Sequence, residues 1–539
     1  MNRWQRPAKA DIFWFGVAAA ILFACGTFVD FIADDGYISF RYAYNLVHHG
    51  QLVFNLGERV EGYTNPLWTV SLAALHVLGA PFEPAARYLG VVFALSSFVI
   101  VYCWARMYSR RWAPLAPVLL ALSPSHSTWA FLGLEPTMFG AFVVAGFFYL
   151  DSRNSPASEV KAGAAFAAAY LTRPEGALAI ALFCAVVLVR QMRTGARNWF
   201  SRDSWIALVI PLSAIAVHVC WRRFYYGQFL PNTFYVKTVM TSGVAEAGAL
   251  YVAEFLLYSG GLLLAVVAIV RMRRSRSSFS DSDLAAIAFV TLFLVYLIAI
   301  GGDYMGASRF GAPLAPLIAI GLFRVLLPRD GIPSLRAVAT AVVVIAVLSA
   351  LTVQSLRREF GTTDDGFISR VGAMRTYVRS RLSAGQWLRA TVNDRLTATS
   401  SAVGVMAWMM LPVRVIDSRG ITNPDVVAIA DRGPFRPGHM LFAPDEYLLS
   451  RQPEVLLHRY ALTDTAGLVP AVDRVDTPGY RPVCASSNFD GNVIWLCFAL
   501  RQGVVLGSVD TTSPEAAPGT IALVDTQGNL PVRWTRRSP

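Results

Sequence analysis

The chain has 539 residues, of which 55% are hydrophobic and only 15% are charged, whereas an ordinary soluble domain is about a quarter charged. This composition excludes an ordinary soluble protein and indicates an integral membrane protein. The net charge of +12 does not indicate nucleic-acid binding, because the basic residues form short clusters between apolar runs, at 190–202, 271–276 and 324–336.

The first apolar run extends from residue 12 to residue 32 and follows a basic segment, which predicts a cytoplasmic N-terminus by the positive-inside rule. No small-residue cleavage pattern follows it, so we expect the run to remain as a membrane span. Two adjacent carboxylates, Asp34 and Asp35, come directly after the run and are therefore predicted at a membrane boundary. Charge beside hydrocarbon is costly, which favours a functional role over a solvated loop.

Further apolar runs predict more spans. The clearest are 137–150, 162–173, 176–190, 204–221, 249–270, 284–300, 311–327 and 337–353. Three candidate runs lie within 67–125, of which only two can cross, and which two is left open. We predict a polytopic α-helical module over 1–353 with about 11 spans, whose first external loop is 33–66. Each basic cluster then faces the cytoplasm. We expect the protein to lie in the inner membrane of a bacterium.

From residue 354 the sequence has the character of a soluble domain. Alternating stretches at 413–418, 453–460, 492–500 and 519–525 predict strands between Pro- and Gly-rich turns. We expect 354–539 to form an extracytoplasmic α/β domain with its own core. Cys484 and Cys497 flank a hairpin-like stretch on the oxidising side, where a disulfide is favoured over two free thiols.

The sequence contains no Walker loop, no HExxH and no CxxC pair, so nucleotide-driven and zinc chemistry lack support. The predicted external loops contain carboxylates, cations and aromatic rings instead. Because nucleotide sugars are absent outside the membrane, an energised substrate would arrive there on a lipid carrier. Sugar transfer from a polyprenyl phosphate needs a carboxylate to take the acceptor's proton, cations for the departing phosphate, and groups that orient the sugar.

The candidate residues are grouped by these tasks. Asp34 and Asp35 are the candidate general bases; on a helix their side chains diverge by about 100°, so only one should face the substrate. The predicted donor and phosphate ligands are Arg41, Arg173, Arg222, Lys237 and Arg309. The predicted substrate-positioning residues are Tyr37, Glu61, Tyr63, Thr64, Asn65, Trp68, Glu135, Glu175, Tyr226, Asn232 and Asp303. The acceptor-side candidates are Asp417 and His439.

Several of these residues have a structural alternative. Arg41 is either a phosphate ligand or an ion-pair partner, and Arg222 can instead anchor a helix end by snorkelling. Asn232 lies in an LPNT turn signal. No metal site and no required cofactor are predicted, although a carboxylate pair can hold a divalent cation.

The first predicted external loop resembles that of the mycobacterial terminal arabinofuranosyltransferase family of GT-C-type membrane glycosyltransferases. The resemblance lies in residues 33–36, 41, 45–46, 53–55, 57–61, 64 and 68–69. Motifs at 133–135, 173–176, 226–227, 230–233 and 302–303 are similar to the wider bacterial family, as are 415–420 and 438–439 in its extracytoplasmic domain. The resemblance implies a GT-C-like fold, a polyprenyl-phosphate sugar donor, inverting transfer and a first-loop aspartate as general base.

Two other classes are weighed against this interpretation. A flippase or transporter of lipid-linked sugars should place charges in the middle of its spans, whereas here they cluster at one predicted face. A non-enzymatic assembly or sensor protein would leave the loop acids unexplained. We therefore expect a glycosyltransferase that moves a sugar, with arabinofuranose favoured over a mannose-type sugar, to an extracytoplasmic glycan or protein acceptor at the lipid surface.

Overall fold

The structure is a computed structural model, and it describes a defined set of residues. These are 9–152, 156–193, 202–237, 243–274, 279–327, 335–361, 370–392, 394–432, 441–464, 471, 474–489, 492–502, 504, 521–523 and 532–534. The chain divides into two compact units, each built from segments far apart in the sequence. The helical unit comprises Met1–Ile32, Thr64–Phe229 and Met240–Ala373. The α/β unit comprises Ala33–Tyr63, Leu230–Val239 and Met374–Pro539.

Helices are numbered in chain order through both units. Those of the helical unit are α1 (Lys9–Gly26), α3 (Pro66–Val77), α4 (Phe82–Tyr108), α5 (Leu115–Ala121), α6 (Pro124–Trp129), α7 (Pro136–Asp151), α8 (Pro156–Thr172), α9 (Gly176–Arg193), α10 (Arg202–Tyr226), α12 (Val244–Tyr258), α13 (Gly261–Arg274), α14 (Asp281–Ala299), α15 (Ala315–Leu326) and α16 (Leu335–Glu359). A 3-10 turn at Ala312–Leu314 precedes α15.

Within the described residues, six helices are long and apolar enough to cross a membrane, namely α1, α4, α9, α10, α14 and α16. A seventh span results if α12 and α13 are counted as one. Large apolar side chains such as Val92, Val99 and Val209 are exposed on these helices, which suits contact with lipid. The chain is thus a multi-pass membrane protein, as predicted. The expected count of about eleven spans stays a prediction.

The structure differs from the predicted spans at three places. Helix α1 ends at Gly26, so the apolar residues up to Ile32 lie beyond the helix and are partly buried in turns. The predicted span 249–270 is bent by 77° between α12 and α13, where Gly260 adopts φ +79°, a conformation that ends a right-handed helix. Within 67–125 only α4 passes as a span, because α3 has 12 residues and α5 has 7.

Loops that carry the predicted cytoplasmic residues meet at one end of the helical unit. Arg324 forms ion pairs with Asp151 (2.7 Å) and with Asp283. Arg193 pairs with Asp281 at 2.8 Å. These ion pairs connect the ends of α7, α9, α14 and α15, as expected if those ends lie on one side of the membrane. Which side this is stays a prediction.

The predicted orientation can be tested by labelling. Single cysteines replacing Arg59 or Arg451, both exposed in the α/β unit, should react with an impermeant thiol reagent in intact cells, whereas one replacing Arg193 should not. The background should lack the free cysteines at 25, 103, 184 and 220. Labelling at position 193 alone would reverse the predicted orientation in the membrane, because it would place the basic clusters outside.

The α/β unit has a mixed five-stranded sheet in the order β2-β1-β5-β7-β6. Strand β1 pairs in parallel with β2 and β5, while β7 pairs antiparallel with β5 and β6. The strands are β1 (Thr397–Ser400), β2 (Arg414–Asp417), β3 (Asp431–Arg432), β4 (Leu441–Phe442), β5 (Val455–Thr463), β6 (Tyr480–Phe489), β7 (Asn492–Arg501), β8 (Ile521–Leu523) and β9 (Val532–Trp534). The unit's helices are α2 (Asp34–His49), α11 (Asn232–Lys237), most of α17 (Val371–Thr391), α18 (Val405–Met409), α19 (Pro424–Ile429) and α20 (Asp445–Ser450).

The strands predicted at 413–418, 453–460, 492–500 and 519–525 correspond to β2, β5, β7 and β8. Cys484 and Cys497 are opposite each other in the β6–β7 hairpin and form a disulfide with an S–S distance of 2.06 Å, which confirms the favoured pairing.

The two units do not follow the predicted boundary at residue 354. That boundary lies within α16, and the predicted first external loop belongs to the α/β unit up to Tyr63. The side chain of Asn55 shows why, because its amide both donates to the carbonyl of Val415 (2.9 Å) and accepts from the Val415 amide (3.0 Å). Asn55 thus pairs with the edge of β2 as a strand residue would.

Candidate functional sites in the two units

The helical unit gathers motifs that are scattered in the sequence around one arginine. Arg173 lies between α8 and α9, and its Nη1 donates to Glu135 Oε1 at 2.5 Å. Its Nε and Nη2 donate to the two carboxylate oxygens of Glu175, at 3.1 and 2.8 Å. Asn65 Nδ2 donates to the other oxygen of Glu135 at 2.7 Å. The hydroxyl of Tyr296 donates to Glu175 at 3.2 Å. Three of the predicted motifs therefore form one hydrogen-bonded network.

A second ion pair belongs to the same cluster. Arg309 contacts Asp303 through Nη2 (3.0 Å to Oδ1) and Nε (2.5 Å to Oδ2). The guanidinium groups of Arg309 and Arg173 both lie over the ring of Phe310, at 4.7 and 4.6 Å from its centroid. Arginine over an aromatic face is electrostatically favourable, so Phe310 holds both cations close together.

Burial and charge act against each other in this cluster. Burial alone would raise the pKa of Glu175, but the charge and hydrogen bonds of Arg173 outweigh it and hold that pKa below its usual range. Burial would likewise lower the pKa of Arg173, but the carboxylates of Glu175 and Glu135 outweigh it and raise that pKa. With all groups ionised, the three carboxylates and two guanidinium groups leave one net negative charge. A donor phosphate would have to displace a carboxylate from Arg173 or Arg309.

Other predicted residues of the helical unit have more local contacts. Arg222 is buried on α10, donates to the carbonyl of Phe229 (3.2 Å) and lies 3.4 Å from His218 Nε2. Arg222 thus contacts the backbone just after its own helix, and its predicted role as a phosphate ligand stays a prediction. Tyr226 packs its ring against Trp221 at 5.5 Å. Thr64 and Trp68 flank Asn65 at the start of α3, where Trp68 is fully buried.

The α/β unit contains the paired acids, and the structure changes their predicted setting. Helix α2 begins at Asp34 itself, so both carboxylates lie in its first turn, where the helix dipole favours negative charge. Asp34 Oδ1 accepts a hydrogen bond from the backbone amide of Val405 at 2.8 Å. The first-loop acid is therefore held by a residue of the C-terminal part of the chain.

Asp34 has the electrostatic character of a general base. Burial raises the pKa of its carboxyl to about 6, and the charge of Asp35 acts in the same direction. The amides of Val405 and Gly404 and the charge of Arg381 oppose this rise. A carboxylate with a pKa near the working pH is better suited to accept a proton in the transition state than an ordinary aspartate.

The guanidinium of Arg41 forms its hydrogen bonds with other groups of the protein. Its guanidinium is fully buried and donates to the carbonyls of Phe54 (2.7 Å), Ala407 (2.5 Å) and Val413 (2.6 Å), and to the Asn55 side chain (3.1 Å). Burial lowers the pKa of Arg41 to about 9. Carbonyl groups compensate this burial in place of an anion, so the contacts are structural, and a phosphate would have to replace at least one of them.

Three more predicted residues of this unit, Glu61, Asn232 and Asp417, take part in hydrogen bonds that involve backbone groups. The amide of Asn232 donates to the carbonyl of Glu61 at 2.9 Å, and its side chain donates to the carbonyls of Gly420 and Ile421. Asp417 accepts from the amides of Arg419 (2.7 Å) and Thr422 (2.8 Å), and burial raises its pKa. These contacts stabilise the turn after β2, so the predicted acceptor-side role of Asp417 stays a prediction.

The remaining predicted residues of the unit either are aromatic or lie outside the described residues. Tyr37 packs against Phe40 and Trp408, at 5.3 and 6.5 Å between ring centroids. Tyr63 is buried against Tyr42 at 4.7 Å. Lys237 ends α11, but its side chain is outside the described residues, as is the whole of His439.

Sequence reasoning missed Arg381, which lies on α17. Its Nε donates to the hydroxyl of Tyr460 (2.6 Å), its Nη1 donates to the carbonyl of Tyr377 (3.0 Å), and its guanidinium lies 3.4 Å from the centroid of the Tyr377 ring. The only signal in the sequence was a Tyr and an Arg spaced by one helical turn, which is common on exposed helices.

Among the described side chains, no group of three or more His, Cys, Asp and Glu residues is arranged to hold a metal ion. A divalent cation held by a carboxylate pair stays a prediction.

The fold is that of GT-C glycosyltransferases. ArnT from Cupriavidus metallidurans, in its crystal structure bound to undecaprenyl phosphate, superposes with a TM-score of 0.55 over 90% of this chain and 97% of its own, at 14% identity. The archaeal oligosaccharyltransferase AglB from Archaeoglobus fulgidus, in complex with an inhibitory peptide and a dolichol-phosphate, gives 0.51 over 96% and 76%, at 12% identity. These likenesses confirm the predicted GT-C-like fold.

The sequence is also similar to a curated relative of known name. It is 31% identical over 369 residues to the terminal beta-(1->2)-arabinofuranosyltransferase of Mycobacterium tuberculosis, a match that covers 59% of this chain. The match covers 56% of that relative, so the chain spans about half of its length. No protein-family model matches the sequence. The predicted resemblance to the terminal arabinofuranosyltransferase family is confirmed.

Proposed function

We propose that this protein is an inverting glycosyltransferase that moves arabinofuranose from a polyprenyl-phosphate donor to an extracytoplasmic glycan or protein. The observation that carries the proposal is the 31% identity to a terminal arabinofuranosyltransferase. The undecaprenyl phosphate bound to a protein of the same fold supports a lipid-linked donor.

In the proposed reaction, the acceptor hydroxyl oxygen bonds to the anomeric carbon of the sugar. The bond from that carbon to the phosphate oxygen breaks, and its electron pair leaves with the polyprenyl phosphate. The hydroxyl proton passes to the carboxylate of Asp34, which is mostly ionised at neutral pH because the pKa is about 6. Attack opposite the departing phosphate inverts the anomeric configuration.

Arg173 and Arg309 remain our candidates for binding the donor phosphate in the helical unit. Their planar guanidinium groups can exchange a carboxylate for phosphate oxygens without changing the geometry of the hydrogen bonds. The excess carboxylate of the cluster would then be available to the hydroxyl groups of a sugar. Glu135, Glu175 and Asp303 are the proposed positioning groups.

The function can be tested with purified protein in lipid vesicles. We expect transfer from a short-chain polyprenyl-phosphate arabinofuranose to an arabinan oligosaccharide, and none from a nucleotide sugar. NMR of the product should show an inverted anomeric linkage. Transfer from the matching mannose lipid alone would refute arabinofuranose as the sugar. Movement of the donor between leaflets without transfer to any acceptor would overturn the proposal in favour of a transporter.

A further inference from the structure

We propose that the C-terminal part of the chain supplies positioning residues for the catalytic carboxylate: Gly404 and Val405 fix Asp34 in place. This inference rests on the proposed role of Asp34 as general base. It assigns to the α/β unit a part in the chemical step, in addition to any recognition of the acceptor.

Gly404 permits the close approach of the backbone to Asp34. A Cβ atom at position 404 would lie 2.2 Å from the backbone oxygen of Asp34 and 2.5 Å from its Oδ2, far inside van der Waals contact. The glycine therefore leaves the space that this close approach requires. The next amide, that of Val405, then reaches Asp34 Oδ1 at 2.8 Å. The start of α18 therefore fixes the direction of the carboxylate.

Arg381 is itself held firmly, from two elements. Tyr377 is one turn earlier on α17 and contacts the guanidinium with both its ring face and its carbonyl, while Tyr460 on β5 accepts from Nε at 2.6 Å. A cation fixed in this way loses little conformational freedom when it acts on a neighbour. Its attraction for Asp34 opposes the effect of burial on that carboxyl.

The groups that act on Asp34 come from three elements. Asp35 on α2 disfavours its ionised form, and Arg381 on α17 favours it, as do the amides at the start of α18. Tyr377 on α17 is uncharged, because burial raises its pKa well above the usual value. Helix α18 packs against α2 through Trp408, which carries no charge. Arg381 is thus the cation that acts on this carboxylate among the described residues.

The test is the pH dependence of kcat/KM for sugar transfer in the full-length protein. Replacing Arg381 with Gln removes the attraction, so the pKa of Asp34 should rise and the acidic limb of the profile should move to higher pH, by about one unit. Arg381→Lys keeps the charge and should restore most of the original profile. Tyr460→Phe, which releases one side of the guanidinium, should give a smaller shift of the same sign. Arg389→Gln, at an exposed position of the same helix, is the matched control and should leave the profile unchanged.

Gly404→Ala gives an independent measurement. It should lower kcat more than it changes the KM for the donor, because it displaces the base and not the donor-binding groups. If Asp34→Asn is inactive but Gly404→Ala keeps the kcat of the wild type and the Arg381→Gln profile is also unchanged, this inference is wrong and the proposed function stands. If Asp34→Asn and Asp35→Asn both retain full transfer, the proposed base is wrong, and this inference fails with it.

Discussion

Replacing Asp34 with asparagine is expected to lower kcat/KM for sugar transfer by about 10²- to 10⁴-fold, the usual effect of removing a general base. Asparagine has nearly the size of aspartate, and its side-chain oxygen can still accept the hydrogen bond from the Val405 amide. The fold of the α/β unit should therefore persist while the basicity is lost. Rates with a short-chain lipid donor, measured beside thermal unfolding in the same detergent, separate the two effects.

Two related variants make this expectation specific. Asp35→Asn should lower the rate much less, because Asp34 accepts the backbone amide and has the pKa near 6. Asp30→Asn, at an exposed acid just before the pair, should have little effect. If Asp35→Asn lost most of its activity and Asp34→Asn kept normal activity, Asp35 and not Asp34 would be the general base.

Replacing Arg173 with glutamine should destabilise the protein by about 3–5 kcal/mol, the range found when one partner of a buried ion pair is removed. Arg173 contacts Glu135 and Glu175, and the three side chains are only 8%, 4% and 12% exposed. Without the guanidinium, two carboxylates would stay buried without their principal cation. Unfolding by denaturant or heat in detergent, monitored by helix content, measures the loss.

A second change tests the physical cause of that loss. Adding Glu135→Gln and Glu175→Gln to the Arg173 variant removes the uncompensated charges, so much of the stability should return although activity does not. Lower pH should also reduce the loss in the single variant, because the pKa of Glu175 rises once Arg173 is gone and protonation then removes its charge. Equal destabilisation in the single and triple variants would show that packing, and not charge, is responsible.

The sequence predicted which residues belong to the cluster around Arg173, but it did not predict how these residues pair with one another. Asn65, Glu135, Arg173 and Asp303 were all assigned to loops on one side, because positive-inside topology constrains every loop at once. That Arg173 bridges Glu135 and Glu175 could not be predicted, since each pairing depends on helix packing over tens of residues. Composition likewise predicted spans, whereas the bend at Gly260 depends on one backbone conformation.

The setting of Asp34 was beyond sequence reasoning for a different reason. The contacts of Asp34 and Arg41 with the C-terminal part of the chain are to backbone amides and carbonyls, which every residue type offers. Such contacts leave no pattern of charge or hydropathy at the partner positions. The first external loop was therefore predicted to belong to the membrane module, and no sequence pattern singled out Arg381.

The hydrogen bond between Asp34 and Val405 joins residues that are 371 positions apart. A ribosome that adds 5–20 residues per second needs roughly 20–75 s to make that stretch of chain. During this interval the nascent protein already has its first acidic pair, but the backbone that fixes it does not yet exist. Chains released before Val405 is made, even after α16, would therefore lack the amide that orients Asp34, and the proposed base would be held in place only once this later part of the chain has been translated.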